Sequence, residues 1–113
     1  DILLHDFSID LPEGFSGRGT FAVRNQGRHQ HELNLAELPE DTQLTQRVVT
    51  KWAKTGRSGI DAHEVAGLFV VGPGTTVLLD LDLRAGNYVA LCGFRDESGP
   101  HAALGMWDQF NVR

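Results

Sequence analysis

Three residues whose side chains bind soft metals fall within fifteen positions of one another: Cys92, the chain's only cysteine, His101, one of five histidines, and Met106, its only methionine. The spacing is Cys-x8-His-x4-Met, in CGFRDESGPHAALGM. Thiolate, imidazole and thioether are the donors that redox-active copper prefers, and a trigonal His2Cys set with a weak axial Met is the blue-copper arrangement. That set needs one more histidine, from elsewhere in the chain.

The elements that must position these residues read as β-strands. Leu3, His5, Phe7, Ile9 and Leu11 alternate with mostly polar neighbours, which predicts one half-buried strand. Phe21, Val23 and Asn25 continue the pattern after a Gly17–Gly19 turn. His31, Leu33 and Leu35 share one parity in HELNL, so His31 is expected to point inward with the leucines. That makes His31 the first candidate for the missing ligand and His29, nearer a turn, the second; His5 and His63 read as solvated or structural. Val77, Leu79, Leu81 and Leu83 alternate against Leu78, Asp80 and Asp82, while Tyr88, Ala90 and Cys92 share a face opposite Val89 and Leu91. Phe110 and Val112 close the chain as a last strand.

Residues 42–55 break the pattern: Leu44, Val48 and Trp52 recur at helical spacing, Lys51 and Lys54 lie near the end, and Gly56 suits a left-handed cap. Gly56 to Glu64 reads as a loop and Gly72-Pro73-Gly74 as a turn. Seven or eight short strands with one inserted helix make an all-β, Greek-key β-sandwich, one domain spanning 1–113.

Composition sets outer bounds. At 113 residues, with 41% hydrophobic and 22% charged residues, the chain can bury a core without disulfide staples. A net charge of −5 argues against nucleic acid as a partner. The longest apolar run, Val65 to Val71, is too short to cross a bilayer. From the start at Asp1 a processed or trimmed chain is expected, with any targeting segment lost with the missing N-terminus. No phosphate-binding glycine loop or nucleophile elbow is present, a Cys92–His101 nucleophile pair needs an orienting third group that the sequence does not name and leaves Met106 and His31 unexplained, and Met is a poor zinc ligand. Acidic pairs such as Asp96-Glu97 read as a solvated face.

Several of these segments resemble the cupredoxins, the plastocyanin-like copper proteins. Pro73-Gly74 opens a strand, Gly86-Asn87-Tyr88 precedes Cys92 at the family's spacing, and Gly105-Met106 ends the ligand loop before the last strand. Phe21-x-Val23-x-Asn25-x-Gly27, followed by His31, is similar to the segment carrying the family's first histidine. The eight-residue Cys–His gap resembles the type 1 copper loop of copper nitrite reductases. The resemblance implies one copper ion bound by His31, Cys92, His101 and axial Met106, with Tyr88 structural. It implies single-electron transfer to a redox partner protein, outside the cytoplasm and not as an enzyme. The alternatives are copper storage or delivery and a copper-free interaction domain. Two departures carry expectations: Glu32 stands where the family usually has Asn, and the polar Arg95–Gly99 insertion is expected to expose the metal.

Overall fold

The computed structural model describes residues 1–113, except for the side chain of Phe69. Eight strands form two four-stranded sheets. The first contains β1 (Ile2–His5), β2 (Ser8–Asp10), β3 (Arg18–Asn25) and β6 (Thr76–Asp82), in the order β2-β1-β3-β6. The second contains β4 (His31–Leu38), β5 (His63–Val71), β7 (Gly86–Leu91) and β10 (Trp107–Val112), in the order β10-β7-β4-β5. Pairing is antiparallel except where β1 runs parallel to β3. The inner faces meet in one core, with Ile2, Leu4, Val23 and Leu81 from the first sheet against Leu33, Leu35, Tyr88, Ala90 and Cys92 from the second. The expected sandwich is what forms, and each fully buried leucine or isoleucine in it contributes about 1.5–3 kcal/mol through lost water contact.

The helix α1 (Gln46–Thr55) makes a third layer. Its Val49 packs with Leu44 on Ala36, Leu38 and Val89, residues of opposite parity to those that face the sandwich core. This explains why the middle of β7 is buried on both faces. The helix starts at Gln46, later than the predicted residue 42. Thr45 caps it, its side chain accepting from the Val48 amide, and the preceding backbone is committed to the sheet. The Leu44 amide donates to Gln109 Oε1 at 2.9 Å, and the Thr42 carbonyl accepts from Asn87 Nδ2 at 2.9 Å and Gln109 Nε2 at 2.6 Å. Gly56 closes the helix in the left-handed conformation, at φ 75°.

The first strand departs from its predicted form. Ile2 and Leu4, not Leu3 and His5, face the core; the chain reverses at Asp6-Phe7 and Ile9 returns to the core from β2. A two-residue turn joins His5 to Ser8, with Phe7 at φ 72°, a left-handed conformation uncommon for a bulky residue. The loop after α1 also ends sooner than predicted, at Ala62, because His63 and Glu64 already pair with β4.

Tyr88 fills the centre of the core, stacked on Phe110 with ring centroids 5.5 Å apart, and its hydroxyl donates to the Arg84 carbonyl at 2.7 Å. Beyond Cys92 the chain forms a ribbon of two short strands, β8 (Arg95–Asp96) and β9 (Gly99–Pro100), then a 3-10 turn from His101 to Leu104. Gly105, at φ 106°, ends that turn and admits the sharp re-entry into β10.

Candidate metal centre

Strand β4 begins at His31, and its alternation sends the His31 ring into the sandwich beside Leu33 and Leu35, all fully buried. Cys92 follows β7 with the inward parity of Tyr88 and Ala90. The ribbon and 3-10 turn bring His101 back over both, because the His101 amide donates to the Phe94 carbonyl at 3.0 Å and closes the loop at its neck. The result is a buried cluster of His31 Nδ1, His101 Nδ1 and Cys92 Sγ. The two nitrogens face each other at 3.1 Å, and Sγ lies 4.0 Å from His31 Nδ1 and 3.8 Å from His101 Nδ1. The point equidistant from the three atoms is about 2.1 Å from each, close to the roughly 2.0–2.1 Å of a metal–imidazole bond and the roughly 2.3 Å of a metal–thiolate bond.

Met106 is fully buried in the same core as Cys92. Its backbone ties the other two loop residues together: its carbonyl accepts from the Cys92 amide at 3.1 Å and its amide donates to the His101 carbonyl at 3.2 Å.

The far nitrogens of both rings are held by carboxylates. His31 Nε2 lies 2.9 Å from Asp6 Oδ1, and His101 Nε2 lies 2.9 Å from Asp96 Oδ2. When each Nε2 donates to its carboxylate, each Nδ1 presents a lone pair, and the two lone pairs point at one another across 3.1 Å with a sulfur beside them. Only a cation between them, a proton or a metal, resolves that opposition. Burial holds the His31 ring below its ordinary pKa despite the attraction of Asp6, so it disfavours the proton. Two imidazole nitrogens and a thiol sulfur, all buried and this close together, are a donor set that fits a soft metal ion.

Asp6 is fixed before it reaches His31. Its oxygens accept from the Arg28 amide at 3.0 and 2.9 Å and from the His29 amide at 3.1 Å. Burial works against ionisation, but these amides and the His31 ring outweigh it and hold the carboxyl at about 2. The approach favours Gly27, since a Cβ there would clash with Asp6 Oδ1 and lie 3.0 Å from the Asp6 backbone nitrogen. Asp96 bridges two rings, accepting from His29 at 2.8 Å as well as facing His101, and the His29 bond above all drives its carboxyl far below the usual range. The same bond raises His29. His29, second choice for the missing ligand, thus lies one carboxylate away from the cluster. Phe7 covers the assembly, its ring centroid 5.0 Å from His101, 5.2 Å from His29 and 6.4 Å from His31.

The Arg95–Gly99 insertion consequently does the reverse of what its polarity suggested. It carries Asp96 onto His101, which is 0% exposed. Glu32 meets the cluster through its backbone: beyond the last β4–β7 pair, Asn34 with Leu91, its amide donates to Cys92 Sγ at 3.2 Å. Its carboxylate turns to Asn34 Nδ2, 3.3 Å away. Burial pushes the Cys92 thiol up, and the amides of Glu32 and Phe94 oppose that by favouring thiolate. His5 pairs with Asp10 across the β1–β2 hairpin and His63 with Asp61 at the surface, both away from the cluster.

Asn25, fully buried, fixes the loop that presents Asp6's amide donors. Its Nδ2 donates to the carbonyls of His29 at 2.9 Å and Val71 at 2.8 Å, and its Oδ1 accepts from the Gly27 amide at 2.9 Å. Asn25→Ala orphans a buried carbonyl and is expected to cost about 2 kcal/mol in urea unfolding at unchanged m-value.

The search for related proteins gave no match to any family model and none among curated proteins. Solved structures that share the fold include an auracyanin and a rusticyanin. Dithionite-reduced auracyanin from the photosynthetic bacterium Roseiflexus castenholzii superposes with a TM-score of 0.58 at 20% identity, over 99% of this chain and 94% of that one. Reduced rusticyanin superposes with a TM-score of 0.50 at 14% identity, over 99% of this chain and 75% of that one. The chain has the cupredoxin fold.

Proposed function

We propose that this chain is a mononuclear type 1 copper protein acting in single-electron transfer. His31 and His101 would hold the ion through their imidazole nitrogens, Cys92 through its thiolate and Met106 through its thioether. The observation that carries the reading is the pair of inward-facing Nδ1 atoms beside a buried sulfur, each ring held at its Nε2 by a carboxylate. Copper bound there would supply a one-electron couple. The chain's own residues do the rest. Asp6 and Asp96 hold tautomer and ring orientation. The Glu32 amide stabilises negative charge on sulfur, and Phe7 limits water at the rings. A set of ligands held this firmly changes shape little when its charge changes, which is the requirement for rapid electron exchange. Burial favours this role over storage or delivery, because handing over a metal requires its ligands to be reachable by exchange.

The reading extends to a single domain, not an enzyme in itself, that works outside the cytoplasm with a redox partner protein. Among the described residues no helix is long and apolar enough to cross a membrane. The test is addition of Cu(II) to purified protein. An intense visible thiolate-to-copper band at one copper per chain, bleached by reductant and restored by oxidant, is expected. A colourless protein that retains no stoichiometric copper rejects the proposal, and colour that is not reversible moves storage or delivery ahead of it.

A further inference from the structure

The outward side of α1 has no part in the centre or the core, and its charge runs against the rest of the chain. Between Asp41 and Asp61 there is no acidic residue, yet four of the chain's ten basic residues fall there: Arg47, Lys51, Lys54 and Arg57. The first three are spaced i, i+4, i+7, so they share one helix face, and all four are exposed. Among the described residues none of the four is in an ion pair, and only Arg24 and Arg84 of the chain's basic residues are, with Asp1 and Glu37. Arg95 joins this side of the molecule by donating to the Ala53 carbonyl at 3.1 Å. Like charges one turn apart repel, which offsets the favourable placement of Lys54 in the last turn of the helix.

The strip is fastened to the ligand loop. Gln46 Nε2 donates to the Ala102 carbonyl at 3.0 Å, and its Oε1 accepts from Trp107 Nε1 at 2.7 Å. Between α1 and the loop lies a cavity of about 210 Å³ with Trp52, Ala53 and Gly56 on one wall, and Cys92, Gly93 and Arg95 on the other. Over the histidines, by contrast, the approach is covered by Phe7 and Asp96 and flanked by Asp6.

We propose that the Arg47–Lys51–Lys54 strip, extended by Arg57 and Arg95, is the docking surface for an acidic face of a partner protein, seated over the cavity that leads to Cys92. What passes between the two rests on the electron-transfer reading; the docking does not. A protein is favoured over an anionic membrane because the apolar side of α1 is turned into the molecule, with Val49 buried, leaving no apolar face for the bilayer boundary.

The test measures anisotropy of a short fluorescent poly-L-aspartate peptide with the full chain, metal-free and loaded with Cu(I). Arg47→Glu/Lys51→Glu/Lys54→Glu is expected to bind at least about tenfold more weakly than wild type, and Arg24→Glu to bind equally. Wild-type binding should fade as the screening length drops from about 30 Å at ~0.01 M salt to about 10 Å at ~0.1 M. The neutral Lys51→Gln/Lys54→Gln variant gives a smaller loss and serves if the triple variant does not fold. Equal binding by wild type and the folded variants overturns the proposal, as does attachment to phosphatidylglycerol vesicles without binding to the peptide. Strip-dependent binding in a chain that takes up no copper supports the docking surface and rejects the electron-transfer reading instead.

Discussion

Cys92→Ser is expected to abolish the visible band of the copper-loaded protein and to lower copper affinity by more than about 100-fold, the upper range for loss of a mere supporting residue around a metal. The hydroxyl that replaces the thiol is a harder donor, holds its proton at neutral pH and offers no low-energy charge transfer to copper. The Glu32 amide, 3.2 Å from Sγ, would lose its soft acceptor without disturbing the fold, because serine is close in size. Optical titration with Cu(II), together with the thermal midpoint of the metal-free variant, separates loss of the ligand from loss of the fold. An unchanged band in Cys92→Ser would mean that the colour arises elsewhere.

Asp6→Ala is expected to cost about 3 kcal/mol, roughly 10–15 °C in Tm for a chain of this size, because the Arg28 and His29 amides and the His31 ring all lose one charged acceptor. Its signature is the pH dependence. The Asp6 carboxyl titrates at about 2 in the folded chain against 3.8 ordinarily, so its stabilisation is fully present above about pH 4 and is lost as pH falls towards about 2. The difference in Tm between wild type and Asp6→Ala should therefore be level near neutrality and shrink through that acid window. A difference that stays constant down to about pH 2 would show that Asp6 is not held ionised by these contacts.

The sandwich was legible because alternation is a local property of strands. His31, Leu33 and Leu35 needed only their shared parity, and the Gly86-Asn87-Tyr88 lead-in placed Cys92 just past a strand end. The first hairpin was misread for a related reason. Leu3 to Leu11 keep an apolar rhythm through Asp6-Phe7, yet the core takes even positions before the turn and odd positions after it. An inconsistency between Ile2–Leu4 and Ile9 was the available sign. The supports of the candidate centre left no comparable mark. Asp6 meets His31 across 25 positions and His29 meets Asp96 across 67, and only the folded chain brings such pairs together. Asp96 sits among polar loop residues whose composition matches any solvated turn. The start of α1 was overextended because side chains from β7 and β10, Asn87 and Gln109, claim the backbone that would have formed its first turn.

Phe7 gives the hairpin a meaning beyond connection. A bulky residue at φ 72° is held against its own backbone preference by roughly 1–2 kcal/mol, and glycine in its place would remove that opposition. What glycine would also remove is the ring over three imidazoles. The chain thus accepts a strained corner at its surface to keep polarisable solvent away from the spot where one unit of charge would come and go. On the proposed reading, a turn in the first ten residues would help set the penalty for that charge change.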